Sequence, residues 1–360
     1  MKKRLCALIL ALCLPLSGCG SLFHRSYSSV ERYTQTQTAP QDPSVLTAAT
    51  YQELLSAILF FVAQHAESGT VRLYNFPGEP DAALAQACLE VMRKDPLTAF
   101  CVKDIRHDVE RIVSYYEVQL DFTYSRTQEE IDSIVSVTGG SAIKNEFRQA
   151  LFTLEDCLLL KISYFSEETA LEALFAQAYY DTPLSAFGLP ELSIQLYPDS
   201  GLQRIVEIGF LYPADTELLL QQQAELIQAV SALLPNGTPL APEQLYDLLL
   251  EHVSYGSTGS TAYAALVDGT ADDAGLAQAY KLLCDRIGLT CCVVCGHRAD
   301  GSQRFWNIVT TPNGSRHVDC SADLFGLTDL QLSELGNYHW ASSYPICRDG
   351  NEISGISINS

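Results

Sequence analysis

The chain has 360 residues, 47% of them hydrophobic, and a formal net charge of −21. So acidic a chain lacks the basic footprint that nucleic-acid binding requires, and that class of function is excluded. The hydrophobic content is enough for a large folded body.

Lys2, Lys3 and Arg4 precede an apolar run over residues 5–16, which has the form of a secretory signal. The run is too short for a comfortable membrane span. It ends in Leu16-Ser17-Gly18-Cys19, which resembles the lipobox of bacterial lipoproteins. The resemblance implies cleavage after residue 18 and attachment of diacylglycerol to the Cys19 sulfur. The expected location is therefore the extracytoplasmic face of the cell membrane, with the bilayer as a partner through Cys19. Loss of residues 1–18 removes three cations and no acid, taking the charge to about −24. Residues 19–45 are rich in Ser, Thr, Gln and Pro without an apolar period, and read as a disordered tether.

Two similar α/β modules are expected next, over residues 46–136 and 137–233. Pro96-Leu-Thr-Ala-Phe100 returns as Pro183-Leu-Ser-Ala-Phe187, and Val118-Gln-Leu-Asp-Phe122 returns as Val206-Glu-Ile-Gly-Phe210. Each copy reads helix, strand, helix, strand, helix. The first set spans residues 51–65, 70–76, 82–93, 117–124 and 128–135. The second spans 143–154, 158–165, 168–179, 203–212 and 215–233. Alternation at Val118, Leu120 and Phe122 predicts half-buried strands. A recurring unit of this length points to paired modules. Glu90, Asp104, Glu110 and Glu117 read as solvated faces, and neither copy shows a catalytic constellation.

Residues 234–347 carry the most chemistry. Ala274, Ala277, Tyr280 and Leu283 recur at helical spacing, so an amphipathic helix is predicted over residues 273–287. Asp272 or Asp273 is a natural N-cap and Gly288 a natural stop. Strands are predicted at 289–294, 305–310 and 316–320. Polar turns at 298–302 and 312–314 separate them, the second with the hairpin pair Asn313-Gly314. Residues 348–360 form a tail.

This order resembles the core of the transglutaminase-like superfamily, in its bacterial cysteine-peptidase-like branch. Its helix opens on a Cys within a pattern like G-x-x-x-C-x-G-x-A, and its strands carry H-A-W-N and H-V-D. Here the corresponding residues are Gly269, Asp273, Gly275 and Ala277, then Arg304-Phe305-Trp306-Asn307, then His317-Val318-Asp319. Trp340 and Tyr344 to Cys347 resemble the closing segment. The resemblance covers about residues 240–347 and implies a papain-like α+β domain behind the two modules. It also implies a Cys-His-Asp triad at positions 273, 304 and 319, of which only Asp319 is present. A carboxylate attacks amides far more weakly than a thiolate does. A guanidinium keeps its proton and cannot serve as general base. Cys-His chemistry is therefore not expected at Asp273 and Arg304.

Three roles follow. The first is a repurposed groove that binds a peptide or protein without cutting it, with Trp306, Asn307 and His317 as groove residues. The second is a divergent hydrolase with a non-standard active site, and the third is a structural spacer. Because the Asp-for-Cys and Arg-for-His changes preserve the signs of the parent ion pair, Asp273, Arg304 and Asp319 are expected to stay clustered. Arg304 should bridge to at least one of the two acids.

The other candidate chemistry is weaker. Cys291, Cys292, Cys295 and His297 cluster in sequence, near His317 and Cys320. Residues three apart on a strand point to opposite faces, however, and Val293-Val294 is not the turn that chelation by Cys292 and Cys295 would need. They read as buried small hydrophobes. Cys284 lies about three helical turns from Asp273, too far to replace the nucleophile. Twelve cysteines, less Cys6, Cys13 and Cys19, leave an odd nine, which does not read as a disulfide framework. No metal and no cofactor is expected.

Overall fold

The computed structural model describes residues 43–163, 168–234 and 240–349. The signal segment, Cys19, nearly all of the tether and the tail beyond 349 lie outside the described residues. The chain is a mixed α+β protein in two compact units, divided between Ser125 and Arg126.

The first unit runs β1 (Val45–Ala48), α1 (Tyr51–Ala63), β2 (Ser68–Leu73), α2 (Pro80–Lys94), α3 (Pro96–Cys101), β3 (Val102–Ile112) and β4 (Tyr115–Tyr124). Its sheet has the order β1-β2-β4-β3, with β1 and β2 parallel and the other pairs antiparallel. Helix α1 begins at a capping box in which Thr50 and Glu53 satisfy each other's backbone N–H. It buries Leu54, Ile58 and Phe61, while the sheet buries Val71, Leu73, Val118, Leu120 and Phe122. The alternation read at 118–122 is the inward face of β4.

The second unit opens with α4 (Gln128–Asp132), β5 (Val135–Val137), α5 (Gly140–Thr153), β6 (Cys157–Ser163), α6 (Glu168–Asp181), β7 (Glu191–Tyr197), β8 (Gln203–Leu211) and α7 (Thr216–Leu233). Its sheet has the order β5-β6-β8-β7, again with a parallel first pair and antiparallel others. The helix expected at 128–135 stops at Asp132, and Val135 already belongs to a strand. Arg126 explains why the division falls here and not at residue 136. Its guanidinium bonds Glu130 at 3.2 Å and Glu207 at 2.5 Å, tying α4 to β8.

The unit continues with α8 (Pro242–His252), β9 (Ser254–Tyr255), α9 (Ala262–Leu266), β10 (Thr270–Ala271), α10 (Asp273–Arg286), β11 (Cys291–His297), β12 (Gln303–Thr311), β13 (Gly314–Asp319), β14 (Leu324–Leu327) and α11 (Asp329–Glu334). Strands β11 to β14 form an antiparallel meander in sequence order. A two-residue loop joins β12 to β13, with Gly314 at φ 99° closing it. Asp272 caps α10 by accepting from Gly275 N at 3.0 Å, and Gly288 at φ 78° ends it.

Helix α10 is not amphipathic as predicted. Every residue from Ala274 to Cys284 is buried, including Gln278 and Lys281. The meander covers one side of it and α8 and α9 cover others. Its small residues let all of these neighbours approach. Among the described residues no helix is long and apolar enough to cross a membrane. All nine described cysteines are free, and six are buried.

Candidate functional site

Asp273 is the first residue of α10. Its Oδ2 accepts from Arg298 Nη2 at 3.0 Å and from Phe305 N at 3.3 Å, and its Oδ1 accepts from Ala274 N at 3.1 Å. Phe305 brings β12 against the helix start. The Tyr180 ring, from α6, lies 4.9 Å from the Phe305 ring, beside Ala274, Ala277, Val293 and Cys295. Burial and then the neighbouring Cys295 push the Tyr180 hydroxyl well above the ordinary phenol range. The Asp273 carboxylate is therefore largely covered, with 14% of its side chain exposed.

Arg304 turns to the other acid. Its Nε and Nη2 both donate to Asp319 Oδ2, at 2.9 and 2.7 Å. Both donors meet one oxygen, so the pair is not a two-oxygen fork. The remaining capacity of Asp319 is also taken. Tyr338 Oη donates to Oδ2 at 2.8 Å, and Ser321 N and Oγ donate to Oδ1 at 2.9 and 2.6 Å. The Arg304 guanidinium stacks 4.6 Å from the centre of the Tyr338 ring. Burial pulls the Arg304 pKa down, but the Asp319 charge and its hydrogen bonds outweigh that, and the net shift is upward.

The three expected positions are thus held in two ion pairs, Arg298–Asp273 and Arg304–Asp319. Arg304 does bridge to a carboxylate. The partner of Asp273 is Arg298, which sequence reasoning placed in a polar turn without a role. Only the turn after β11, where Arg298 N donates to Ser302 O at 2.7 Å, brings that side chain back toward the helix start.

The three predicted groove residues are buried. Trp306, Asn307 and His317 are exposed by 1%, 0% and 1%. Alternation along β12 sends Phe305 and Asn307 toward α10, and Arg304 and Trp306 to the opposite face. Asn307 Nδ2 donates to Ala277 O at 2.9 Å and so ties the strand to the helix, while its Oδ1 has no partner. Trp306 Nε1 donates to His317 Nδ1 at 3.0 Å. That bond leaves the proton of the neutral imidazole on Nε2, which faces Asp329 Oδ1 at 2.9 Å.

Sequence reasoning missed one further grouping. His317, Asp329 and Cys347 present ligand-type atoms within 4.8 Å of one another, the one such group among the described residues. Its chemistry does not suit a cation. A metal needs the Nε2 lone pair, and the indole donor on Nδ1 forces the tautomer in which Nε2 carries hydrogen. The group is a hydrogen-bonded post. Cys292, Cys295, His297 and Cys320 are not members of that group. Burial pushes the thiols of Cys292 and Cys295 up to about 11 and about 12, and raises that of Cys320 well above the usual range.

His317 gives a pH signature. Burial lowers its pKa from 6.5, and Asp329 only partly opposes this. The folded pKa lies below the unfolded one, so stability is fully present above pH 6.5. It falls as acid protonates the unfolded chain first. The expected slope reaches about 1.4 kcal/mol per pH unit, from pH 6.5 down to the folded value. Denaturant titrations of the wild type and His317→Gln at pH 7.5, 6.5 and 5.5 check this. Parallel losses in both proteins would remove His317 as the cause.

No protein-family model matches the chain, and no curated protein matches it. Similar solved structures include a TGase, at 12% identity and TM-score 0.27, covering 47% of this chain and 52% of that one. Another is described as a putative cysteine protease from Cytophaga hutchinsonii, at 10% identity and TM-score 0.25, covering 42% of this chain and 66% of that one. A third is described as a putative protease from Parabacteroides distasonis, at 8% identity and TM-score 0.22, covering 70% and 39%. The chain spans less than two thirds of the length of each of the three.

Proposed function

We propose that this is a lipid-anchored protein of the cell envelope whose C-terminal domain, of transglutaminase-like design, binds a peptide or protein segment without catalysis. The observation that carries the reading is the state of Asp319. A carboxylate meant to orient an imidazole base needs a free acceptor. This one already receives five donors, two of them from a guanidinium that cannot take up a proton. Asp273 is likewise paired and largely covered, and the elevated thiols of Cys292, Cys295 and Cys320 supply no ready thiolate. The common strand order of the two α/β sheets supports reading them as copies of one module, with the boundary between Ser125 and Arg126 in place of residue 136. The lipobox at residues 16–19 supports the anchor, and the acidic surface suits a body held upright off an anionic bilayer.

The test uses the mature protein freed of its lipid. Amide and transamidation substrates should show no turnover, and alkylating every accessible thiol should change nothing. Turnover abolished by iodoacetamide would overturn the reading and point to Cys295 or Cys320. Asp273→Cys combined with Arg304→His should restore at most weak reactivity, because Phe305 and Tyr180 cover the helix start. In the full chain, Cys19→Ala should release the protein from the membrane fraction, and unchanged retention would defeat the anchor.

A further inference from the structure

After α11 the chain crosses the meander over residues 336–349 without a helix or a regular strand, and it turns once at 341–344, where Tyr344 N donates to Ala341 O at 3.4 Å. It meets β11, the terminal strand of the order β11-β12-β13-β14, at one point and then runs over β12 toward β13, where Arg316 Nη1 donates to Arg348 O at 2.9 Å. His297 and His339 exchange two backbone hydrogen bonds, at 2.9 and 3.0 Å, as an isolated antiparallel bridge. Gly296 makes that approach feasible. A Cβ there would stand 2.5 Å from His339 O and 2.4 Å from the Trp306 ring.

Side chains supply the rest of the grip. Tyr338 is buried edge-on to Trp306 at 5.2 Å, and Trp340 sits edge-on to Trp306 at 5.9 Å and to His317 at 5.0 Å. The Tyr344 hydroxyl accepts from Cys295 N at 3.1 Å, satisfying a backbone donor of β11. Cys347 is buried beside Val294, Ile308 and Leu332, and its backbone N and O both bond Asp329, at 3.2 and 2.8 Å. His339, residues 341–343 and residues 345–346 are exposed. A few anchored side chains on a largely exposed backbone, with one point of pairing to a strand edge, is a way in which a bound peptide can be held.

We propose that residues 336–349 are a ligand held in cis. The edge of β11 and the Trp306 face form a site for a peptide, and this segment fills it until a partner's segment displaces it. The partner's segment would carry aromatic residues at a first, third and seventh position, as Tyr338, Trp340 and Tyr344 do. The proposal rests on the peptide-binding reading and gives it a place. Tethering explains why the site is filled at rest. A short connection holds the segment at an effective concentration on the order of millimolar, so only a partner that binds tighter, or is locally abundant, displaces it.

The experiment uses the full chain with a protease recognition sequence inserted at Gly336, an exposed turn residue at φ 69°. After cleavage the protein is incubated with a dye-labelled synthetic peptide of residues 336–349. The labelled peptide should exchange into the nicked protein and not into the intact one. A peptide with alanine at both Trp340 and Tyr344 should bind ~10-fold or more weakly, as expected when aromatic anchors are lost. Loss of the domain's near-ultraviolet signal on nicking would overturn the proposal, because the segment would then be an integral part of the core. Retention of the original segment against excess peptide would overturn it too. Library peptides that bind the intact protein without competing for this site would preserve the peptide-binding reading and remove this location from it.

Discussion

Asp319→Ala should destabilise the second unit by about 3–5 kcal/mol, the range for breaking one side of a buried ion pair. The substitution strands Arg304, whose side chain is 11% exposed and whose guanidinium cannot shed its proton. It also orphans the Ser321 N–H and the Tyr338 hydroxyl. Arg304→Met should cost less, and for a reason that can be measured. It leaves Asp319 with three neutral donors, so no buried charge is left without a partner. Denaturant unfolding of both variants at pH 7.5, read at the transition of the second unit, should show the larger loss for Asp319→Ala. Losses below about 1 kcal/mol for both would place the pair among exposed bridges of little consequence.

The same pair shows how far the sequence reaches. Arg304 and Asp319 were legible because their signs and their places after a helix and two strands survive in the pattern. Arg298 was not, because nothing local to residues 298–302 says that the turn folds back on the start of α10. The burial of Gln278 and Lys281 was hidden for a related reason. Periodicity reports which side of a helix must be apolar, not how many neighbours close around it. The strands that went unread are telling as well. Besides the short β9, β10 and β14, they are β1 and β3 in the first sheet and β5 and β7 in the second, the two edges in each case. Strand β3 reads VKDIRHDVERI and buries only Val102 and Ile105, so its polar residues hide the strand from an apolar template. Inner strands such as β4 and β8 carry the alternation that gave them away. The segment at 336–349 has no period at all, and its position depends on side-chain anchors that only the fold reveals.

Gly275→Ala should be the most damaging single-methyl change in the second unit, costing more than about 3 kcal/mol or preventing folding outright. The expectation runs against helix propensity, on which Gly to Ala within a helix gains up to about 1 kcal/mol. Geometry decides it. A Cβ at Gly275 would lie 2.1 Å from Gly259 O, 3.0 Å from Thr261 O and 2.9 Å from the Ala271 methyl. Two of these are backbone oxygens that no rotamer change can move. The loop at 259–261 is also fixed to the helix. Asp272 N donates to Gly259 O at 3.3 Å, Ser260 Oγ bonds Asp272, and Gln278 Nε2 donates to Ser260 O at 3.2 Å. Relief would require lifting the loop, breaking those bonds and shifting the N-cap that sets Asp273 against Arg298. Gly140→Ala, at the first residue of α5, is the control. Its Cβ would meet Leu174 at an ordinary 3.4 Å, so the change should be neutral or mildly stabilising. Thermal and denaturant unfolding of the two variants should move in opposite directions. If Gly275→Ala unfolds with the wild type, the close approach of this loop does not set the helix start, and the glycine there is incidental.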